Sequence, residues 1–193
     1  MALLKIARMG HPVLSCPAET VADPTHPGIT ELVENMFETM LDAPGVGLAA
    51  PQVHVPLRVV VYYVPRGRLT PDELTPDEQE GEGVVNLTAL INPVLAPIGS
   101  QMDVATEACL SLPGMSGLVP RYQNISLRAV DLSGNTIERE VSGYHARLLQ
   151  HECDHLDGIL YPMRMDDLMS FGYSDELRQR VPEEIQSTGD GNA

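Results

Sequence analysis

The feature that most constrains the fold is a helix-forming stretch toward the end of the chain, SGYHARLLQHECDHLDG at residues 142–158. Ser142 is a suitable N-cap residue, and Gly158 is a typical stop. One side of the helix is apolar, and its members are Leu148, Leu149 and Leu156. The pattern therefore predicts a helix with one side available for packing against other elements.

Two histidines on this helix, His151 and His155, follow the order H-E-x-x-H, with Glu152 between them. Residues four apart lie one turn apart on the same side of a helix, so both imidazoles can reach one metal ion with Glu152 beside it. Many zinc proteases use the same order, and the third ligand decides the class of site.

Three completions of the site are open from the residues alone. A metzincin would have a third histidine where this chain has Tyr161, and a thermolysin-like protease would use a downstream glutamate such as Glu176. Cys109, in TEACLSLPG, would instead give a thiolate and two imidazoles, with a fourth position left open for water. A catalytically idle metal-binding module is the remaining alternative.

A second helix is predicted near the N-terminus. The segment ITELVENMFETML at 29–41 repeats apolar residues with helical spacing, which indicates an amphipathic helix. Thr25 and Pro27 supply start chemistry, and APG at 43–45 supplies a stop.

Several segments are typical of strands. LRVVVYYV at 57–64 and VVNLTALINP at 84–93 form two of them, the second ended by Pro93, and 125–141 forms a hairpin around DLSGN. We therefore expect an α+β fold in which mixed or antiparallel strands pack around one central helix.

The 193 residues favour one domain, over 1–181, followed by a disordered acidic and polar tail at 182–193. Residues 65–83 are rich in Pro, Gly, Asp and Glu, and predict a surface excursion. The net charge of -15 argues against direct nucleic-acid binding. No apolar run is long enough to span a membrane, and three cysteines with no secretory signal favour a reducing, cytoplasmic location.

Three separated motifs carry a family resemblance: GVGLAAPQ at 45–52, EACLS at 107–111 and QHECDH at 150–155. Together they resemble peptide deformylase, whose pattern is G-x-G-x-A-A-x-Q, then E-G-C-L-S, then Q-H-E-x-D-H. The resemblance covers most of the chain, and SGYHARLLQHE with the insertion before the second motif looks closest to the branch that includes organelle-type deformylases.

The resemblance implies removal of formate from the N-terminal formyl-methionine of new polypeptides, including ribosome-associated nascent chains. It implies one divalent metal, ferrous iron in cells with zinc, nickel or cobalt as alternatives, and attack by a metal-bound water. Glu152 would be the general base and acid, while the Gln52 side chain and the Leu110 N–H would stabilise the negative charge that forms. The implied metal ligands are Cys109, His151 and His155.

The resemblance also implies a substrate site, in which extended peptide backbone pairs with Val46, Gly47 and the strand before Cys109. The methionine side chain would lie against Val46, Tyr144, Leu148 and the methylenes of Arg147.

One position departs from the family pattern, because Ala108 replaces the usual glycine. Alanine is poorly accommodated at positive φ, so we expect extended backbone there, with a methyl that narrows the channel. We also expect Arg121 to pair with Glu107, and Asp154 to orient a neighbouring group. No role is assigned to Cys153.

Overall fold

The computed structural model describes residues 2–65 and 87–179. In these residues the chain forms three α-helices, namely α1 (Pro27–Asp42), α2 (Gly143–Leu156) and α3 (Ser174–Gln179). Its strands are β1 (Gly47–Ala49), β2 (Val59–Tyr62), β3 (Thr88–Pro97), β4 (Met102–Cys109), β5 (Leu112–Tyr122), β6 (Asn124–Val130), β7 (Thr136–Ser142) and β8 (Gly172–Tyr173). No helix in the described residues is long and apolar enough to cross a membrane.

The strands form two antiparallel sheets. One has five strands in the order β1-β2-β3-β6-β7, and the other has three in the order β4-β5-β8. The predicted α+β class with antiparallel strands is thereby confirmed. This order leaves β1 and β4 each at the edge of a sheet.

Helix α2 is the central element, because it contacts strands of both sheets. Its apolar side, including Leu149 and Leu156, joins a core built with Val60, Leu90 and Ile125 of the larger sheet. Its histidines and acidic residues 152 and 154 are buried as well. Buried polar groups need partners, so this face of the helix must be matched by polar groups from other elements.

The ends of α2 follow the prediction. Ser142 is the N-cap residue, and the helix closes before Gly158, whose φ is +73°. A Cβ at Gly158 would lie 2.8 Å from the backbone nitrogen of Cys16. The turn therefore requires glycine for both its conformation and its space.

Helix α1 contains the predicted 29–41 segment and buries Ile29, Val33, Met36, Thr39 and Met40 against β1 and β2. Its N-cap is His26, whose Nδ1 accepts the Gly28 N–H at 3.0 Å. Thr25 is not the cap, because its hydroxyl donates to Asp23 at 2.7 Å instead.

The strand predictions need one correction. Strand β3 continues through Pro93 to residue 97, so the prediction that Pro93 ends it is wrong. A register shift between Ile91 and Val94 absorbs the proline, and Asn92 has a φ of +52°. An irregularity of this kind tolerates a residue without an N–H.

Two other strand predictions are confirmed. Strand β2 lies inside the predicted 57–64 run, and β6 and β7 form the predicted hairpin around residues 131–135. Four further predictions lie outside the described residues. They are the excursion at 65–83 apart from residue 65, the first residues of the 84–93 run, the boundary at residue 181 and the tail at 182–193.

Candidate active site

The structure brings together the three predicted metal ligands. One ligand atom each from Cys109, His151 and His155 lie within 4.8 Å of one another, and Cys109 Sγ is 3.3 Å from His155 Nε2. The cysteine ends β4, while both histidines come from α2. Each of the three residues is at most 8% exposed. One thiolate with two imidazoles is a donor set that zinc and other borderline metals accept.

A local irregularity positions Cys109 in this cluster. The β4–β5 register shifts between Ala108 and Cys109, and the Ser111 N–H then points at Cys109 Sγ at 3.4 Å. Ala108 lies within β4 and its φ is not positive, so the expectation of extended backbone is confirmed.

Glu107 holds the first histidine in place. Its Oε2 lies 2.8 Å from His151 Nδ1, and Arg121 binds both carboxylate oxygens at 2.9 and 3.0 Å. Burial alone would raise its pKa, but the hydrogen bonds from His151 and Arg121 hold the pKa of Glu107 at about 2. A carboxylate on Nδ1 directs Nε2 of the same ring to the cluster, which is the usual support for a metal-binding histidine.

A network of arginines extends this support, and it contains the predicted Arg121–Glu107 pair. Arg121 also donates to Asp154 at 2.5 Å, and Arg164 donates to the same carboxylate at 2.7 Å. Asp154 is predicted to orient a neighbouring group, and the group that it contacts is Arg121, which joins it to Glu107.

Arg147 has a different environment from the one predicted. Its guanidinium donates to Glu107 at 2.9 Å, to the Val119 carbonyl at 2.8 Å and to the Asp103 carbonyl at 2.7 Å. The sequence-based prediction is that its methylenes form a wall for the substrate. The charged end instead ties α2 to β4 and β5, although the residue also lines the cavity described below.

Glu152 lies beside the cluster and is 4% exposed. Its Oε2 has no hydrogen-bond partner among the described residues. Burial, reinforced by the nearby charge of Glu107, raises the pKa of Glu152 to about 7. A Cβ at residue 47 would lie 2.3 Å from Glu152 Oε1, so the carboxylate requires glycine at that position.

His155 has a complementary environment. Its Nδ1 also lacks a partner within the described part of the chain. Burial and the charge of His151 both lower the pKa of His155, which favours the neutral ring that a metal needs.

Gln52 faces the cluster from a short 3-10 helix after β1. Its Oε1 accepts the Ala49 N–H at 2.8 Å, which leaves Nε2 to donate to Ser111 Oγ at 3.2 Å and Cys109 Sγ at 3.5 Å. Ser111 is fully buried, and sequence reasoning missed it. Its place two residues after Cys109 in the EACLS motif was the available signal.

A cavity of about 520 Å³ opens onto this cluster. The predicted site residues on its walls are Val46, Gly47, Gln52, Cys109, Leu110, Tyr144, Arg147, Leu148, His151 and Glu152. Met115 and Ser174 also line it, and no sequence motif pointed to them. Residues as far apart in the chain as Val46 and Ser174 therefore line one cleft.

Glu176 lies outside this site. It is on α3 with an exposed side chain, and the cluster contains Cys109 in place of a glutamate. The thermolysin-like ligand set is therefore wrong for this fold.

The α+β fold and the buried cysteine–histidine–histidine cluster, open to a cleft, define a hydrolase of the single-metal class. The polypeptide deformylase family matches residues 3–170, and the chain belongs to this peptide deformylase family. It is 47% identical over 172 residues to peptide deformylase 1 of Nitrosomonas europaea. The aligned residues cover 89% of this chain and 93% of that protein.

Solved structures give the same result. A peptide deformylase from Thermotoga maritima is similar with a TM-score of 0.73 and 34% identity, covering 86% of this chain and 100% of that one. A class I type b peptide deformylase from Acinetobacter baumannii, crystallised with Met-Ala-Ser bound, is similar with a TM-score of 0.72 and 31% identity, covering 85% and 99%. The organelle-type branch stays a prediction.

Proposed function

We propose that this protein hydrolyses the formyl amide at the N-terminus of formyl-methionyl polypeptides and releases formate. The observation that carries the proposal is the meeting of three groups in one cleft: the Cys109 cluster, the Glu152 carboxylate, whose Oε2 has no hydrogen-bond partner among the described residues, and the Gln52 amide. The family to which the chain belongs supports the same reaction.

The residues fit a divalent metal. Cys109, His151 and His155 would hold it, and the carboxylate of Glu107 already orients one imidazole. We propose ferrous iron in cells, with zinc, nickel or cobalt able to replace it at this donor set. When bound, the ion supplies Lewis-acid polarisation and lowers the pKa of water.

Glu152 would handle the proton. Water adds to the formyl carbon, and Glu152 accepts the proton that water loses. The carbon–nitrogen bond then breaks, and Glu152 returns this proton to the departing amine. The products are formate and a peptide with a free N-terminal methionine. The buried Oε2, which has no partner in the part of the chain that the structure describes, supports this role, because a general base needs an acceptor free to face the substrate.

Gln52 and Leu110 would stabilise the oxygen of the formyl group as negative charge develops on it. The Oε1–Ala49 hydrogen bond fixes the Gln52 amide with Nε2 toward the cluster. Leu110 follows Cys109 directly and lines the same cavity, so its backbone N–H is the second candidate donor.

Peptide backbone would pair in extended form at the two sheet edges. Strands β1 and β4 are both edge strands, and Gly47 and Ala108 from them line the cavity. Edge strands add a further strand through backbone hydrogen bonds, which tolerates many side chains. The methionine side chain would lie against Val46, Tyr144 and Leu148, with the stem of Arg147 beside them.

The substrates would be newly made chains in the cytoplasm, including those still attached to ribosomes. A reducing compartment would keep the thiol of Cys109 available as a ligand.

The test compares formate release from formyl-Met-Ala-Ser by the purified protein and by Glu152→Gln. We expect the variant to keep its metal and lose about 10² to 10⁴-fold in rate, because proton transfer is removed and the ligands are not. Glu138→Gln is the matched control, since that carboxylate is exposed on β7. Cleavage within unformylated peptides would indicate a peptidase, and bound metal without any turnover would indicate an idle module.

A further inference from the structure

The chain has 12 basic and 27 acidic residues, and two of the basic residues that the structure describes, Lys5 and Arg8, differ from the others in their surroundings. Within residues 2–65 and 87–179, five arginines form ion pairs with acidic side chains: Arg58, Arg121, Arg128, Arg147 and Arg164. Arg139 and Arg178 donate to the Tyr62 hydroxyl and the Ser174 carbonyl. Lys5 and Arg8 are exposed, and no described acidic residue pairs with either.

The segment that carries Lys5 and Arg8 is fixed against the catalytic residues. The Ala7 N–H donates to the backbone carbonyl of Gln52 at 2.7 Å, and the Met9 N–H donates to that of Ser111 at 2.8 Å. Lys5 and Arg8 are therefore held beside the segments that carry Gln52 and Ser111. The hydrogen bonds that hold them there are made by the backbone of Ala7 and Met9 and not by the side chains of Lys5 and Arg8.

Both cations line a groove of about 860 Å³. Its walls are Leu4, Lys5, Ile6, Ala7, Arg8, His11, Ala43, His54, Leu110 and Pro113. None of these is acidic; the exposed Asp42 precedes Ala43 in the chain and is not part of the wall. The imidazoles of His11 and His54 pack edge to face, with centroids 4.6 Å apart, and add ring N–H groups to the cationic side chains.

The groove adjoins the catalytic cavity. Leu110 and Pro113 belong to the walls of both, and Ala43 of the groove is followed by Pro44 of the cavity. A chain that leaves the cavity over Leu110 and Pro113 enters the groove. An extended chain advances about 3.4 Å per residue, so its third to fifth residues lie about 7 to 14 Å beyond the first.

We infer that this groove, lined by Lys5 and Arg8, binds acidic side chains of the substrate a few residues after the methionine. The inference rests on the proposed function, which sets the formyl group at Cys109 and sends the rest of the peptide outward. Aspartate and glutamate complement these two cations, which have no acidic partner among the described residues, whereas the net charge of -15 of the whole chain repels them. The protein would therefore discriminate among nascent chains by the charge of their early residues.

The experiment uses C-terminally amidated peptides, formyl-Met-Ala-Ser followed by Glu-Glu, Gln-Gln or Lys-Lys. We expect kcat/KM for the Glu-Glu peptide to exceed that for Gln-Gln by about threefold to tenfold, with the Lys-Lys peptide lowest, as two partly exposed ion pairs allow. The difference should appear in KM and vanish near 1 M ionic strength, where the Debye length is about 3 Å.

Lys5→Glu and Arg8→Glu each leave one cation and one carboxylate in the groove, so each should bring the kcat/KM values of the Glu-Glu and Lys-Lys peptides close together, and the double variant should reverse their order. Arg128→Glu is the matched control, since it makes the same change of charge at an exposed position on β6 and should leave the order intact. Equal kcat/KM values for the three peptides, or a ratio of the Glu-Glu to the Lys-Lys peptide that neither Lys5→Glu nor Arg8→Glu lowers, would overturn the inference. Failure to release formate from any peptide would instead refute the proposed function.

Discussion

At the scale of single residues, the orientation of the Gln52 amide is decided by two contacts. The Ala49 N–H occupies its oxygen, and Ser111 Oγ lies 3.2 Å from its nitrogen. If the amide were flipped, its oxygen would face the cluster, and an acceptor at that position could not stabilise negative charge. Ser111 is thus a positioning residue for a donor that sequence reasoning identified without it.

Replacing Gln52 with alanine should lower kcat by about 10² to 10³-fold, because a donor to the developing charge is lost. Ser111→Ala should lower kcat by about fivefold, the equivalent of one neutral hydrogen bond. The double variant should be no slower than Gln52→Ala, since Ser111 acts through the amide. Steady-state formate release measures all three, and additive losses would show that Ser111 acts independently.

At the scale of elements, α2 is held to the smaller sheet by charge. Arg147 reaches Glu107 of β4 and the Val119 carbonyl of β5, and both ionic side chains are buried. Arg121 makes a parallel link from β5 to Asp154 of α2. The ligands on α2 and β4 keep their relative positions because these bonds cross between the two elements.

Arg147→Met keeps an unbranched apolar stem and removes the guanidinium. We expect the free energy of unfolding to fall by about 2–4 kcal/mol, because Glu107 and Val119 lose a buried charged partner. Arg128→Met is the control and should cost less than about 1 kcal/mol, since its partner Glu138 and the arginine itself are largely exposed. Urea unfolding measures both, and similar losses would contradict a structural role for Arg147.

At the scale of the whole molecule, the cluster joins the two halves of the fold. Cys109 comes from the three-stranded sheet, and both histidines come from the helix that packs on the five-stranded sheet. A ligand that binds all three side chains stabilises only the folded arrangement, so its binding energy adds to the stability of the protein.

Removing metal with a chelator should therefore lower the melting temperature. A metal at a hundredfold excess over its dissociation constant contributes about 2.7 kcal/mol, or about 5–10 °C for a chain of this size. Adding Co²⁺, Ni²⁺ or Zn²⁺ to the stripped protein should restore the shift. Cys109→Ala should abolish it, whereas Cys16→Ala, at an exposed thiol, should not. A shift that survives Cys109→Ala would place the metal elsewhere.

Much of the fold was accessible from local patterns. The period of apolar residues predicted α2 and the hairpin of β6 and β7, and the structure places both there. Pro93 lacks an N–H, which predicts the end of a strand, but β3 accommodates it through a shift in register. Register depends on the partner strand, which no local pattern contains.

The sequence by itself determined that His151 and His155 share one side of a helix, because the helical repeat fixes this within a few residues. Only the tertiary structure decided that Cys109 Sγ lies 3.3 Å from His155 Nε2, that Glu107 orients His151, and that the charge of Arg147 serves the scaffold. These partners are 40 to 46 residues apart in the chain. Their meeting depends on the packing of β4 against α2, a long-range outcome that the spacing of residues along the chain does not encode.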